Sequence, residues 1–295
     1  MPDDSLSFRL LAVLFPIFGI VAAGYFYGRK HKPEMAVANR LNMDVFVPAL
    51  VFAAMAGKSF DLATYGPLAL GGFLLLAACG LLAWPVARLC GVQPKTLVPP
   101  MLFNNSGNIG LPLALLAWGE DALPAAVILF MVENTLHFTF GARWLDPQAR
   151  LLLLWRIPVV FAAIAGLLVA ALKIALWTPL LIGIKMLGDI SVPLMLFALG
   201  VRMTGFTLND WQLAVGSALL RPLIGMALAW GIIHLLGLEG RDAAMLLVFG
   251  ALPPAVLNFL FAERYQQEPQ RVASIVLIGN LAALIFLPLA LSLVL

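Results

Sequence analysis

The sequence is poor in charge, because only 11% of its 295 residues are Asp, Glu, Lys or Arg while 62% are hydrophobic. Its mean hydropathy is +1.00. Soluble globular domains carry roughly 25% charged residues, so this composition excludes one. The formal net charge of +3 is small and the basic residues do not cluster on one soluble element, which argues against nucleic-acid binding. We therefore expect an integral membrane protein, with the lipid bilayer as its solvent.

The chain also lacks the groups that metal, cofactor or disulfide chemistry needs. Cys79 and Cys90 fall in or near one apolar run, where eleven helical residues would separate them by about 16 Å, beyond disulfide reach. His31, His137 and His234 lie in different segments without a partner at ligand spacing. No phosphate-binding loop is found, so ATP-driven pumping would need another subunit. We predict no metal site and no cofactor.

Long apolar runs recur along the chain, and about 20 such residues cross the ~30 Å hydrocarbon core as a helix. Asp3 and Asp4 precede the first run and Arg9 is the only base before it, so we expect a retained helix rather than a cleaved signal peptide. The ten predicted spans are 8–28, 39–56, 65–89, 97–118, 122–141, 157–176, 180–201, 209–236, 241–262 and 271–294.

The basic residues alternate between the two ends of these spans. Twelve of the 18 flank the connections on one side, five lie on the other, and Arg221 falls inside the eighth span. Because bases accumulate on the cytoplasmic side, the alternation predicts both termini on the non-cytoplasmic side of the plasma membrane, which in a bacterium is the inner membrane.

An internal repeat relates the two halves of the chain. The segment VPALVFA at 47–53 resembles VPLMLFA at 192–198, with an offset of 145 residues, and Pro112 and Pro253 recur with an offset of 141. Five spans per half is an odd number, so the second half must enter the membrane inverted. We predict a first five-helix repeat at 1–142, a short cytoplasmic linker at 143–156 and a second five-helix repeat at 157–295.

The fourth predicted span is unusually polar at its centre. Three amides, a hydroxyl and two glycines stand between Asn104 and Pro112. Proline removes a backbone donor and clashes with the carbonyl four residues earlier, so we expect the helix to break at Pro112. A broken helix in hydrocarbon must face protein or a wet cavity, and transporters build substrate sites this way. A simple proline kink is the alternative interpretation.

The residues around the two prolines are the candidates for binding a solute. Asn105 and Asn108 are three apart and share a helical face, which we expect to line a cavity. Free N–H groups at the start of a half-helix suit a carboxylate. Asn258, after Pro253, either adds an amide to the site or only joins two helices. The predicted solute-binding residues are Asn104, Asn105, Ser106, Asn108 and Asn258, and the predicted crossover residues are Gly107, Gly110, Pro112, Pro253 and Pro254.

Ionisable residues within predicted spans suggest coupling to H⁺ or Na⁺. Glu133 and His137 are four apart on one helical face, and an intramembrane carboxylate is expected to carry protons or to pair with a base. Its structural partner would be Arg221, which we expect to anchor crossover carbonyls rather than to neutralise an anionic solute. Asp44 and Asp189, again 145 apart, favour helix capping, with a sodium site as the alternative.

Two segments resemble one known family. The run NNSGNIGLPL at 104–113 resembles the fourth-helix motif of the auxin efflux carrier family, which includes plant PIN proteins and bacterial malonate-type carriers, and LPPAVLNFLFAERY at 252–265 resembles its ninth helix. The resemblance implies an all-α fold of two inverted five-helix repeats, with scaffold and transport domains. It also implies fourth and ninth helices that cross at their prolines beside the substrate carboxylate, a homodimer and an elevator-like motion.

These observations together predict a secondary transporter of small organic anions, either mono- or dicarboxylates of malonate or auxin type, and not an enzyme. The alternatives are a sodium- or proton-coupled symporter of another solute and, less favoured, an intramembrane enzyme that uses Ser106 with His137.

Overall fold

A computed structural model describes residues 5–56, 62–148, 158–205 and 210–295, and all of its long elements are helices. We number them in chain order: α1 Leu6–His31, α2 Ala36–Met55, α3 Leu62–Leu89, α4 Pro94–Leu102, α5 Ser106–Trp118, α6 Glu120–Leu145, α7 Pro158–Ala171, α8 Thr178–Met203, α9 Trp211–Leu236, α10 Gly240–Ala251, α11 Leu257–Arg264 and α12 Pro269–Ser292.

Helix ends follow ordinary capping chemistry. The Ser5 hydroxyl accepts a hydrogen bond from the Phe8 N–H at the start of α1, and Asp210 caps α9 through the Leu213 N–H. Gly237 ends α9 in the left-handed conformation. Hydrogen bonds from Arg271 hold the pKa of the Asp210 carboxyl below its usual value.

Among the described residues, seven helices are long and apolar enough to cross a membrane by themselves, namely α1, α2, α3, α6, α8, α9 and α12. Each coincides with a predicted span, which confirms the integral membrane class. The fourth and ninth predicted spans are each two short helices, α4 with α5 and α10 with α11, and the sixth corresponds to the 14-residue α7. Residues 149–157, which hold most of the predicted linker, lie outside the described residues.

The helices pack as two groups. In the first helix group α1 packs on α8, and α2 packs on α7 and α8. In the second helix group α3 packs on α4, α6 and α9, α9 packs on α10 and α12, α11 packs on α12, and α5 packs on α6. Contacts between the groups are sparser and involve α1, α2 and α8 against α5, α6 and α12. The two groups therefore meet along the face that carries the polar motif.

The predicted break at Pro112 is wrong in its position. The chain leaves the helix at 103–105, and Pro112 lies in the first α-helical turn of the second half-helix. A π-helical turn, Ser106–Gly110, directly precedes Pro112 and absorbs the mismatch between the proline ring and the preceding turn. In the ninth span the break at 252–256 does contain Pro253 and Pro254.

Contacts at the helix ends join residues that the charge alternation assigns to the same side. At one end Lys95 donates to the Leu145 carbonyl (2.9 Å), and Arg271 pairs with Asp210 (2.8 Å) and Glu268 (3.1 Å). The contacts at the other end join Lys185 to Glu120, Arg241 to Asp121 and Arg9 to Leu295. The end that faces the cytoplasm stays a prediction.

Helices α9 and α10 touch through their backbones. A Cβ atom added to Gly225 would lie 2.1 Å from the Gly250 carbonyl oxygen, and one added to Gly250 would lie 2.5 Å from the Gly225 oxygen. Small residues permit such close approach between membrane helices. This contact fixes the last turn of α10, directly before the second break.

We expect Gly225→Ala to destabilise the protein by about 1–3 kcal/mol, because a methyl group there overpacks a backbone contact that cannot yield. Gly216→Ala is the matched control, since it lies on the same helix and its added Cβ would meet no atom within 4 Å. Thermal unfolding of the purified protein in detergent measures both. Equal melting temperatures for the two variants would contradict the predicted close contact.

Candidate functional site

The two breaks hydrogen-bond to each other. The Asn105 N–H donates to the Pro253 carbonyl (2.7 Å), and the Ala255 N–H donates to the Phe103 carbonyl (3.0 Å). Asn104 and Pro254 therefore stand opposite each other in a one-residue antiparallel bridge. We call the segments 103–105 and 252–256 the crossing. The predicted meeting of the two broken segments is thus present in the structure.

Side chains complete the hydrogen bonding of the crossing. The Asn104 amide donates to the Phe249 carbonyl (2.9 Å), at the end of α10. The Asn258 amide donates to the Phe103 carbonyl (3.1 Å) and to the Ala255 carbonyl (3.0 Å). Both side chains are buried, and their amide nitrogens donate to main-chain oxygens, while their Oδ1 atoms have no partner among the described residues. We therefore assign Asn104 and Asn258 to holding the crossing, which is the interhelical alternative for Asn258.

Arg221 anchors the same region from behind. Its guanidinium is buried and donates to the Gly250 carbonyl (2.9 Å), as expected for an anchor of crossover carbonyls. Within the described residues Arg221 makes no ion pair with Glu133. Arg221 is therefore not the structural partner of that carboxylate.

Asn280 on α12 is a crossing residue that the sequence reasoning missed. Its carbonyl oxygen accepts from the Asn105 amide (2.9 Å), and its own amide donates to the Pro254 carbonyl (3.0 Å) and to the Val276 carbonyl (2.8 Å). A signal existed, since Asn134 stands 146 residues earlier and bonds the carbonyl four residues before it in the same way. Asn280 is thus the residue that corresponds to Asn134 in the predicted second repeat.

A cavity of about 250 Å³ lies against the crossing, between the two helix groups. Asn105, Gly107 and Asn108 line its inner end. The Asn108 side chain is half-buried and makes no hydrogen bond within the described part of the chain, so its amide is free for a solute. Helices α2 and α8 supply the opposite wall through Asn39, Asn42, Met43, Val47, Met195, Ala198, Leu199 and Arg202.

Glu133, His137 and Ser106 form a buried polar chain at the cavity wall. Glu133 and His137 are 3% and 1% exposed. The Ser106 hydroxyl donates to Glu133 Oε2 (3.0 Å), and His137 Nδ1 lies 3.1 Å from Glu133 Oε1. His137 stacks on Phe103 of the crossing with ring centroids 4.0 Å apart, and its Nε2 atom has no hydrogen-bond partner among the described residues. The predicted pair of Glu133 and His137 is therefore formed.

Arg202 is a second cavity residue that the sequence did not single out. It stands in the last turn of α8 and lines the cavity. Its position near a connection made it one of the twelve bases on one side, and nothing in its neighbours distinguishes it from the others.

Comparison with known proteins gives this geometry a context. The profile of the family described as "Membrane transport protein" matches residues 147–291. A protein of Rhizobium meliloti named "Putative malonate transporter" is 26% identical, over 92% of this chain and 92% of its own length. Transporters of Methanocaldococcus jannaschii and Methanothermobacter thermautotrophicus are 20% and 25% identical, over 94% and 95% of this chain and 96% and 93% of their own lengths. The chain is thus similar to membrane transport proteins, and these matches support a member of the auxin efflux carrier family.

These similarities support an integral membrane transporter, and the relatives are named as transporters rather than enzymes. The serine–histidine pair that the enzyme alternative used is not formed, because the Ser106 hydroxyl donates to Glu133 and not to His137. A serine nucleophile needs an adjacent base that takes its proton. The intramembrane enzyme that we kept as an alternative is therefore set aside.

The remaining predicted residues of this carrier take structural positions. Asp44 is exposed on a continuous helix and Asp189 pairs with Lys185 (3.5 Å), so neither caps a helix as expected. Asp44 does not line the cavity. Gly110 faces Leu252 across the crossing, where an added Cβ would lie 3.1 Å from Leu252 Cδ1. Among the described residues no three His, Cys, Asp or Glu side chains converge on a common point.

The carrier has a second cavity, of about 520 Å³, at the opposite end of the same group interface. Its walls come from α2, α5, α6 and α8, and its charged residues are Glu120, Asp121, Lys185 and Asp189. Cavities therefore flank the crossing on both sides.

We expect Asn280→Ala to destabilise the carrier by about 1–3 kcal/mol, because it leaves the Asn105 amide and the Pro254 carbonyl buried without their partner. Asn134→Ala is the matched control at the equivalent repeat position, since Asn134 bonds only a carbonyl of its own helix. Thermal unfolding in detergent compares them. A loss for Asn134→Ala as large as that for Asn280→Ala would contradict the assigned role of Asn280.

Proposed function

We propose that the chain is a secondary transporter that moves small organic anions, with a carboxylate held at the crossing. The observation that carries the proposal is the lining of the 250 Å³ cavity, which includes Gly107 and the unpartnered Asn108 amide. Both residues belong to the first turn of α5. The first N–H groups of a helix lack intrahelical partners and attract anions. In α5 these groups belong to Ser106, Gly107 and Asn108, because Ile109 is the first residue that donates to the Asn105 carbonyl.

Transport would proceed by alternating access of an elevator type. The second helix group carries the crossing and would move as a transport domain against the first helix group, which would act as the scaffold. The two cavities that flank the crossing support this motion, since both lie at the interface between the groups. The relative named for malonate makes short mono- and dicarboxylates the first solutes to test.

The proposal includes the membrane arrangement. It has ten spans in two inverted five-helix repeats at 1–142 and 157–295 with both termini non-cytoplasmic, in the inner membrane of a bacterium, and a homodimer as the working unit. Matching hydrogen bonds of Asn134 and Asn280, 146 residues apart, support the repeat. The grouping of end contacts supports an even number of spans.

Of the two coupling ions considered, H⁺ and Na⁺, one observation favours H⁺. An anion at Asn108 would lie beside Glu133, and two like charges in a low-dielectric cavity repel. A proton on the Glu133–His137 pair removes that repulsion, so uptake of the anion and of the proton would be linked. Asp44, the acid considered for a sodium site, does not line the cavity.

We expect Asn108→Ala to reduce transport at least about tenfold and Asn108→Asp to abolish it, because the first removes a hydrogen-bond donor and the second places a negative charge beside the anion. Counterflow of labelled malonate in proteoliposomes measures both. Asn108→Ser keeps a donor and should retain part of the flux. Wild-type flux in all three variants, each inserted normally, would remove the site assignment.

We expect Glu133→Gln to uncouple the transporter from protons. Glutamine imitates the protonated carboxyl, so exchange of malonate across liposomes should persist while accumulation driven by an inward proton gradient is lost. Transport should also lose its increase toward acidic pH. The exposed Glu263→Gln is the control, since Glu263 lies outside the cavity lining. A Glu133→Gln variant that still accumulates malonate would leave this residue with a structural role only.

A further inference from the structure

Arg202 is exceptional among the bases of this chain. Four described bases are buried or half-buried, namely Lys95, Arg202, Arg221 and Arg271. Lys95 and Arg221 each donate to a carbonyl, and Arg271 pairs with two carboxylates. Arg202 has neither a hydrogen bond nor an ion pair within the described residues. Because the guanidinium of Arg202 is half-buried at the cavity and has no protein partner there, it is available to bind an anion.

The surroundings of Arg202 identify where that anion would be. Arg202 lines the same cavity as Asn108, and the other titratable groups on its wall are Glu133 and His137, which bond each other. Arg202 is therefore the one fixed and unneutralised charge among the described lining residues. Its place at the end of α8 adds a favourable helix dipole, but a dipole satisfies none of the five guanidinium N–H donors.

The cavity has room for a solute that contacts both helix groups. Its volume of about 250 Å³ is large enough to hold a short dicarboxylate. Asn108 and the start of α5 belong to the second helix group, whereas Arg202 belongs to the first. A solute with a carboxylate at each end would bridge the two groups, and a monocarboxylate would leave one of them empty.

We infer that Arg202 selects dicarboxylates by binding the second carboxylate of a solute whose first carboxylate lies at the crossing. This inference rests on the proposed function and adds the substrate class to it. Guanidinium binds carboxylate through two parallel hydrogen bonds, which gives orientation as well as affinity. Asn108 then binds one carboxylate of any such solute, and Arg202 favours a solute that has a second carboxylate.

Malonate and propionate are the matched probes, because both have three carbons and differ in one carboxylate. We expect Arg202→Gln to weaken malonate binding about tenfold or more while propionate binding stays within about twofold of wild type. Arg202→Lys keeps the charge without the bidentate geometry and should retain the preference for malonate in part. Binding is measured by titration calorimetry on detergent-solubilised protein. Each variant must be monodisperse in detergent, which shows that it is folded.

Arg29→Gln is the matched control, since Arg29 stands in the last turn of α1, packed beside α8, but is exposed and does not line the cavity. Its affinities should match the wild type. An unchanged ratio of malonate to propionate affinity in Arg202→Gln would overturn the inference, and that is the result expected if Arg202 only binds a lipid headgroup. An equal malonate loss in Arg29→Gln would overturn it as well.

The two proposals fail in different ways. If Asn108→Ala loses both probes while Arg202→Gln keeps the malonate preference, the crossing site stands and the role of Arg202 falls. If the wild-type protein binds neither probe, the organic-anion proposal itself fails and the inference about Arg202 falls with it.

Discussion

The structure depends on one constraint, which is that a backbone N–H or C=O group in hydrocarbon must find its partner within the protein. Two interrupted helices would each violate it alone. Here each break repairs the other, because Asn105 donates to the Pro253 carbonyl and Ala255 donates to the Phe103 carbonyl. Arg221 and Asn280 satisfy further carbonyls from neighbouring helices. The crossing is therefore cooperative, and neither break is stable without the other.

The hydrogen bonds of the crossing determine which polar groups remain available to a solute. The amide nitrogens of Asn104 and Asn258 donate to main-chain oxygens, and that of Asn105 donates to Asn280. Asn108 comes from the same short motif but follows the break, on the π-helical turn that faces the cavity. The polar run 104–108 therefore has two roles. Its first residues stabilise the crossing, and its last residue, Asn108, faces the cavity.

Hydrophobic periodicity was sufficient to locate the helices, because apolar length is a local property of the sequence. The break before α5 was misplaced because the proline rule concerns a lost donor, whereas the chain actually opens where it pairs with 253–255, a contact 150 residues away in sequence. Asn280 and Arg202 were missed for a related reason. The sequence neighbours of a single amide in an apolar span, or of a base beside a connection, do not indicate its role. Its partners come together only in the folded structure.

The charges of the site are arranged so that binding can remain reversible. Arg221 donates to the Gly250 carbonyl behind the crossing and does not line the cavity, so it makes the local potential more positive without contacting the carboxylate. Glu133 and His137 are joined to each other, and a single proton changes the charge that an arriving anion meets. Among the described residues that line the cavity, Arg202 on the opposite helix group is the one unpaired cation. A bridging solute would be bound to both helix groups. In the proposed mechanism, movement of one group relative to the other would break one of these two attachments and so allow the solute to be released.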